Sequence, residues 1–203
     1  MTQIPESSLP EQVASQAELI VNTLQQTKYT YDENINPAGG IYDCDCSVFV
    51  SFVLAGVAPI HYGAIAGAMG RNPLAFEYYE FLDTLTQEPT GGWHRIDLLA
   101  DALRGDIIAW RFPTIELDHD TGHVMIAAET PTADDSGVFW LRVYDSADYP
   151  HFDDTRGDGG FTNGVGSGII KFLVNDGGAP SAFQFAPSEE FTYFPIAIGR
   201  LEP

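Results

Sequence analysis

Near residue 104 the hydrophobic pattern of this chain changes period, and that change limits the folds open to it. Before it, Val13, Ala17, Ile20 and Leu24 recur at helical spacing behind Ser8-Leu9-Pro10-Glu11, which resembles a capping box. Asn72, with Pro73 in the first turn, predicts another helix whose buried face carries Leu74, Tyr78, Phe81 and Leu85. Between them, residues 46–56 are apolar in a pattern that fits a buried helix and a buried strand alike, with Gly56 as a C-terminal stop. After residue 104, short apolar runs alternate with turn residues. They predict strands over 106–112, 122–129, 138–145, 168–174, 182–185 and 195–201. Asp134-Asp135-Ser136-Gly137 joins the second and third as a hairpin, and the Gly/Asp-rich stretch 153–168 reads as a long loop. Helices first and a mostly antiparallel sheet afterwards describe one α+β domain over residues 1–203.

Charge narrows the partners. Nine Lys+Arg stand against 29 Asp+Glu, a net charge of −20. Such a field repels phosphate backbones and anionic lipid, so nucleic acid and membrane surfaces are not expected partners. No 18-residue apolar run and no basic-then-apolar N-terminus is present, which predicts a cytoplasmic protein. Cys44 and Cys46 are too close in sequence for an unstrained bridge, and reduced thiols agree with that compartment.

The chemistry concentrates in Tyr42-Asp43-Cys44-Asp45-Cys46-Ser47. If the apolar run that follows is helical, Cys46 sits at its N-terminus. Unpaired amides and the helix dipole there favour a thiolate and can hold an oxyanion. A nucleophilic thiol needs a base, and His123 opens the apolar strand Thr-Gly-His-Val-Met-Ile. Centring the hairpin at residue 133 or 134 sets His123 opposite position 144 or 145, so Asp145 becomes the partner that orients the ring. Cys44 reads as an inert packed thiol. Trp93, Trp110 and Trp140 read as core, and His61 and His94 have no evident partner. A second chemistry is open: Asp118, His119, Asp120 and His123, with His151, have the spacing to hold a divalent metal.

Asp45-Cys46-Ser47-Val48-Phe49-Val50 resembles the Asp-Cys-Ser-Gly-Phe-Val motif of the NlpC-type papain-like cysteine peptidases, which are related to the CHAP amidases. Arg104-Gly105-Asp106-Ile107-Ile108-Ala109-Trp110 is similar to the strand before the family's histidine, and Thr121-Gly122-His123-Val124-Met125-Ile126 to the histidine strand. The likeness covers about residues 28–146 and leaves about 149–203 as a C-terminal extension. It implies a papain-like fold, Cys46 as nucleophile, His123 as base and then acid, and Asp145 as orienting group. Tyr29 or Tyr31 would assist the oxyanion. The implied substrate is a peptide or peptidoglycan fragment cleaved at an amide, with no cofactor. Val48 departs from the family's glycine. Two further residues border this set. His151 is an alternative orienting group, and Arg156 could bind a substrate carboxylate or pair with Asp153 or Asp154. A groove that binds peptides without cleaving them, and acyl transfer to an acceptor other than water, are the other readings.

Overall fold

A computed structural model of the chain describes residues 7–117, 120–158 and 160–203, Asp158 by its backbone alone. Helix α1 (Leu9–Thr23) buries Val13, Ala14, Ala17 and Ile20, the stripe its spacing predicts. The Ser8 side chain makes no capping bond, so the expected capping box is absent. Gln12 Nε2 donates instead to the Ser7 carbonyl at 2.8 Å.

The ambiguous apolar run is helix α2 (Cys46–Val57), which continues one residue past Gly56. Asp45 decides its start: its Oδ1 accepts the Val48 amide at 2.8 Å, the bond of an N-cap, and fixes Cys46 as the first helical residue. Helix α3 (Pro59–Ala66) follows directly. Helix α4 (Ala75–Thr84) begins later than Asn72 predicts. Glu77 takes the Leu74 amide at 2.7 Å while it holds both guanidinium nitrogens of Arg71, and Asn72 accepts the Tyr62 hydroxyl instead. Its buried face is Ala75, Tyr78 and Leu82, with Phe81 only partly covered.

Three short strands, β1 (Gln26–Lys28), β2 (Asn34–Asn36) and β3 (Ile41–Asp43), form a small sheet in the order β1-β3-β2. Its last residue leads straight to Cys44. The main sheet is built from β4 (Trp93–Arg95), β5 (Ile107–Arg111), β6 (Gly122–Ala127), β7 (Thr132–Ala133), β8 (Phe139–Ala147), β9 (Gly164–Val174), β10 (Pro180–Gln184) and β11 (Ile196–Leu201). The order is β10-β9-β8-β6-β5-β11-β4, with β7 paired to β8, and every neighbouring pair is antiparallel. The chain is therefore α+β, with α1–α4 ahead of the main sheet's strands and the short α5 after β8. Residues after 149 belong to the same sheet, β11 lying between β5 and β4. The stretch 153–168 is not one long loop: the short helix α5 (Thr155–Asp158) interrupts it, and β9 starts at Gly164.

The main sheet separates two apolar clusters. On one face α1, α2 and α4 pack Phe49, Val53 and Tyr78 against Val124 and Ile126. On the other, Trp110, Met125, Leu141, Val143 and Phe172 close against Phe183 and Phe185. Trp93 and Trp110 are core residues as expected. Trp140 is only partly buried and carries the Lys171 ammonium 4.1 Å from its ring centre. Both histidines without evident partners find one at the C-terminus: His61 bonds the Glu202 carbonyl and His94 meets its carboxylate. Among the described residues no helix is long and apolar enough to cross a membrane.

Candidate active site

The short run from β3 into α2 delivers Cys46, 3% exposed, against the β6 backbone. A helix N-terminus favours a thiolate, yet here the balance is reversed. Burial raises the Cys46 thiol well above its ordinary pKa, and the nearby carboxylates of Asp45 and Asp120 add to this against the Val124 backbone, which lowers it. The expected thiolate is thus corrected to a resting thiol. Cys44 is fully buried, and burial followed by Asp45 and Asp43 pushes its thiol up as well. Both cysteines are free, as expected of such close neighbours.

His123 opens β6, and Asp145 lies near the end of β8. The turn forms at Asp134–Gly137, but it centres the pairing later than the sequence arithmetic assumed: Ile126 faces Tyr144 and Ala127 faces Val143. Continued, this register sets His123 opposite Ala147, so Asp145 is its diagonal neighbour on the same face. The direct cross-strand pairing is corrected, while the contact is made: His123 Nε2–H donates to Asp145 Oδ2 at 2.6 Å. With the proton held at Nε2, the neutral ring keeps its basic lone pair on Nδ1.

Asp145 is fully buried and carries more than His123. His151 Nε2 bonds the same Oδ2 at 2.8 Å, and Arg156 Nη2 donates to Oδ1 at 2.6 Å. Burial alone would raise this carboxyl. His151 and Arg156, with the His123 bond, outweigh burial and hold it well below the usual carboxylate range. His151 Nδ1 faces the Phe185 carbonyl at 3.0 Å. Each ring nitrogen of His151 thus addresses an oxygen, the Phe185 carbonyl on one side and the Asp145 carboxylate on the other. Asp154 completes the cluster by accepting Arg156 Nη1 at 2.6 Å and the His151 amide at 2.8 Å. Asp145, Asp154, Arg156 and the His151 ring thus form one buried polar group.

A glycine alternation on β9 makes room for this cluster. A Cβ at Gly166 would lie 2.7 Å from Arg156 Cγ, and one at Gly168 would lie 2.5 Å from Asp154 Oδ2 and 2.8 Å from His151 Cβ. Arg156 is 1% exposed and has Gly164, Asp145 and Asp154 as its partners. It cannot meet a substrate carboxylate, and that expectation is corrected. Its pairing with Asp154 holds; Asp153 instead pairs with Arg142.

His123, Asp145 and His151 offer ligand atoms within 4.8 Å of one another, a spacing a metal could use. The chemistry of the set opposes that use. Both imidazole Nε2 atoms address one carboxylate oxygen rather than a common point in space, and the Arg156 cation occupies the other oxygen. Asp118 and His119, on which the metal reading also drew, lie outside the described residues.

Two adjoining cavities flank the catalytic candidates. One, of about 490 Å³, is lined by His123, Trp110 and Phe185; the other, of about 400 Å³, by Cys46, Asp45 and Val48. Tyr29, Tyr31 and Asp120 line both. No hydrogen bond joins the Cys46 thiol to His123 among the described residues. Of the two tyrosines, Tyr29 is partly buried, while Tyr31 is 67% exposed. Burial raises the Tyr29 phenol first and the nearby Cys46 second, so it stays a protonated donor beside the sulfur.

No family model matches the chain, and no solved structure matches it. The chain is 29% identical over 181 residues to an uncharacterized protein of Acanthamoeba polyphaga mimivirus, an alignment that covers 78% of this chain and 77% of that protein.

Proposed function

We propose that the protein is a papain-like cysteine hydrolase that cleaves amide bonds, with a peptide or peptidoglycan fragment as substrate. The observation that carries this reading is His123. A buried, ionised Asp145 fixes its Nε2, and the ring lines a cavity that adjoins the one lined by Cys46 at the N-terminus of α2. The order Cys46, His123, Asp145 and the motif around Cys46 agree with the NlpC-type resemblance. Two free thiols suit a reducing, cytoplasmic setting.

Chemistry would begin from the thiol. A substrate spanning both cavities draws His123 Nδ1 and Cys46 Sγ within hydrogen-bond reach, a tightening that resting sites commonly await. Sγ attacks the amide carbonyl while Nδ1 accepts its proton. The oxyanion is held by the Cys46 amide at the helix start and by the Tyr29 hydroxyl. The imidazolium then returns its proton to the departing amine as the C–N bond breaks, leaving a thioester on Cys46. Water adds to that thioester with His123 again taking a proton, and the acid and the free thiol are released.

The test is turnover of a panel of short peptide anilides and wall-peptide fragments. Wild type should release the amine, and Cys46→Ala and His123→Ala should not. Tyr29→Phe should lower kcat by about 100-fold, the loss of one oxyanion donor, while Tyr31→Phe leaves it near wild type. Hydrolysis that persists unchanged in Cys46→Ala refutes the reading.

A further inference from the structure

We infer that the cavity beside His123 is a binding site for an amine that carries an aromatic body and a positive charge, and that it receives the leaving side of the substrate. The assignment as the leaving side rests on the hydrolase reading above; the ligand chemistry does not. Three observations lead to it.

The first is the wall. Trp110 stacks on Phe183 with ring centres 3.8 Å apart, Phe185 meets Trp110 edge-on at 5.9 Å, and Phe194 packs on Phe183 at 6.0 Å. All four line the cavity. Phe185 is further held because its carbonyl lies 3.0 Å from His151 Nδ1 and its ring lies edge-on to His151 at 4.3 Å. Trp110, Phe183 and Phe185 are closed over by one another and form a preformed floor, while the partly buried Phe194, Phe112 and Tyr29 offer ring surface that attracts both aromatic groups and cations. A volume of about 490 Å³ lies within the range of small-ligand sites.

The second is charge. Asp120, Asp148 and Glu189 line the same cavity, and no Lys or Arg does so among the described residues. Arg156, which pairs with Asp145, is consumed by Asp145 and Asp154 behind the His151 ring. An anionic ligand would therefore meet three carboxylates and no counter-charge, whereas an ammonium finds carboxylates and ring faces together.

The third is position. His123 belongs to this cavity and Cys46 to its neighbour. In amide cleavage the acyl group stays with the sulfur, and the departing amine takes the histidine's proton. The portion of a substrate lying over His123 is thus the amine that leaves.

The experiment uses the full chain as Cys46→Ala, which binds without reacting, and compares three probes of one shape by NMR titration of the isotope-labelled protein: 2-phenylethylamine, 2-phenylethanol and 3-phenylpropanoate. The amine should bind about tenfold more tightly than the alcohol, and the propanoate most weakly. The His123 ring resonances should shift as the amine saturates. The double variant Asp148→Asn/Glu189→Gln removes the charge of exposed Asp148 and of Glu189, whose glutamine can still accept the Tyr149 hydroxyl, and should erase the amine's advantage while leaving the alcohol unaffected. An alcohol or a carboxylate that binds as well as the amine overturns the ligand class, and unmoved His123 resonances overturn the placement. Since the nucleophile is absent from this titration, a failure of amide turnover in the wild type does not alter its result, and a failed titration leaves the thiol chemistry untouched.

Discussion

Asp145→Asn tests the buried cluster most directly, because the change keeps the volume and removes the charge. In the wild-type fold this carboxylate answers three donors: His123 at 2.6 Å, His151 at 2.8 Å and Arg156 at 2.6 Å, with both Asp145 and the Arg156 side chain excluded from water. The asparagine leaves Asp154 as the remaining carboxylate on Arg156, beside the Gly164 and residue-145 carbonyls, and puts an amide NH₂ where a carboxylate oxygen accepted. Removing one partner of a buried ion pair costs about 3–5 kcal/mol. For a domain of this length that loss should lower the melting midpoint by roughly 6–20 °C. Urea denaturation should show a lower midpoint at an unchanged slope, since no surface is newly exposed in the native state. The dependence on pH follows from the direction of the Asp145 shift. Its folded-state pKa lies below the unfolded value, so its stabilising contribution is complete above about pH 4 and lost as pH falls through the folded pKa. Wild type and Asp145→Asn should therefore differ fully at neutral pH and converge in acid. A loss below about 1 kcal/mol at neutral pH, the range of exposed ion pairs, would refute the account of a buried charge network.

Iodoacetamide should label Cys46 slowly near neutral pH and progressively faster in alkali, because burial and the facing carboxylates hold it as a thiol; mass spectrometry of the labelled peptide checks this, and rapid labelling below pH 7 contradicts it. Gly168→Ala should destabilise the fold by about 1–3 kcal/mol, since the new Cβ would meet Asp154 and His151. Gly157→Ala, where a Cβ finds open space, is the matched control, and equal unfolding midpoints for the two variants would remove the steric argument.

What the sequence discloses depends on the range of the forces involved. The strands β5, β6, β8 and β11 were legible because each is a short apolar run bounded by turn residues, a local signal, and so was the apolar stripe of α1. The strands β1, β2 and β3 have three residues each, too few to show a period, and they are held by pairing across the chain such as Gln26 with Ile41. The start of β9 was hidden for the opposite reason. Gly164-Val165-Gly166-Ser167-Gly168 has the composition of a loop, although the alternate glycines are what the packing of a strand against His151 and Arg156 requires. Cys46, His123 and Asp145 were legible as residues. The sign of the Cys46 shift was not, because burial sets it first and that burial is made by packing from distant parts of the chain, with Asp45 and then Asp120 adding to it. Arg156 lies in a polar run that looks solvated, and its burial becomes evident only once Asp145 is placed beside it.

The glycine alternation on β9 also offers a way to compare this protein with its relatives. Two backbone positions without side chains, Gly166 and Gly168, form a template on which His151, Asp154 and Arg156 are laid, so the template and the laid residues stand or fall together. A related chain that carries larger residues at the positions of Gly166 and Gly168 has no room for the second histidine or the arginine under its aspartate. In such a chain the aspartate would answer the base histidine alone. Two letters on one strand therefore report whether the orienting carboxylate is neutralised from behind, without any structure of that relative in hand.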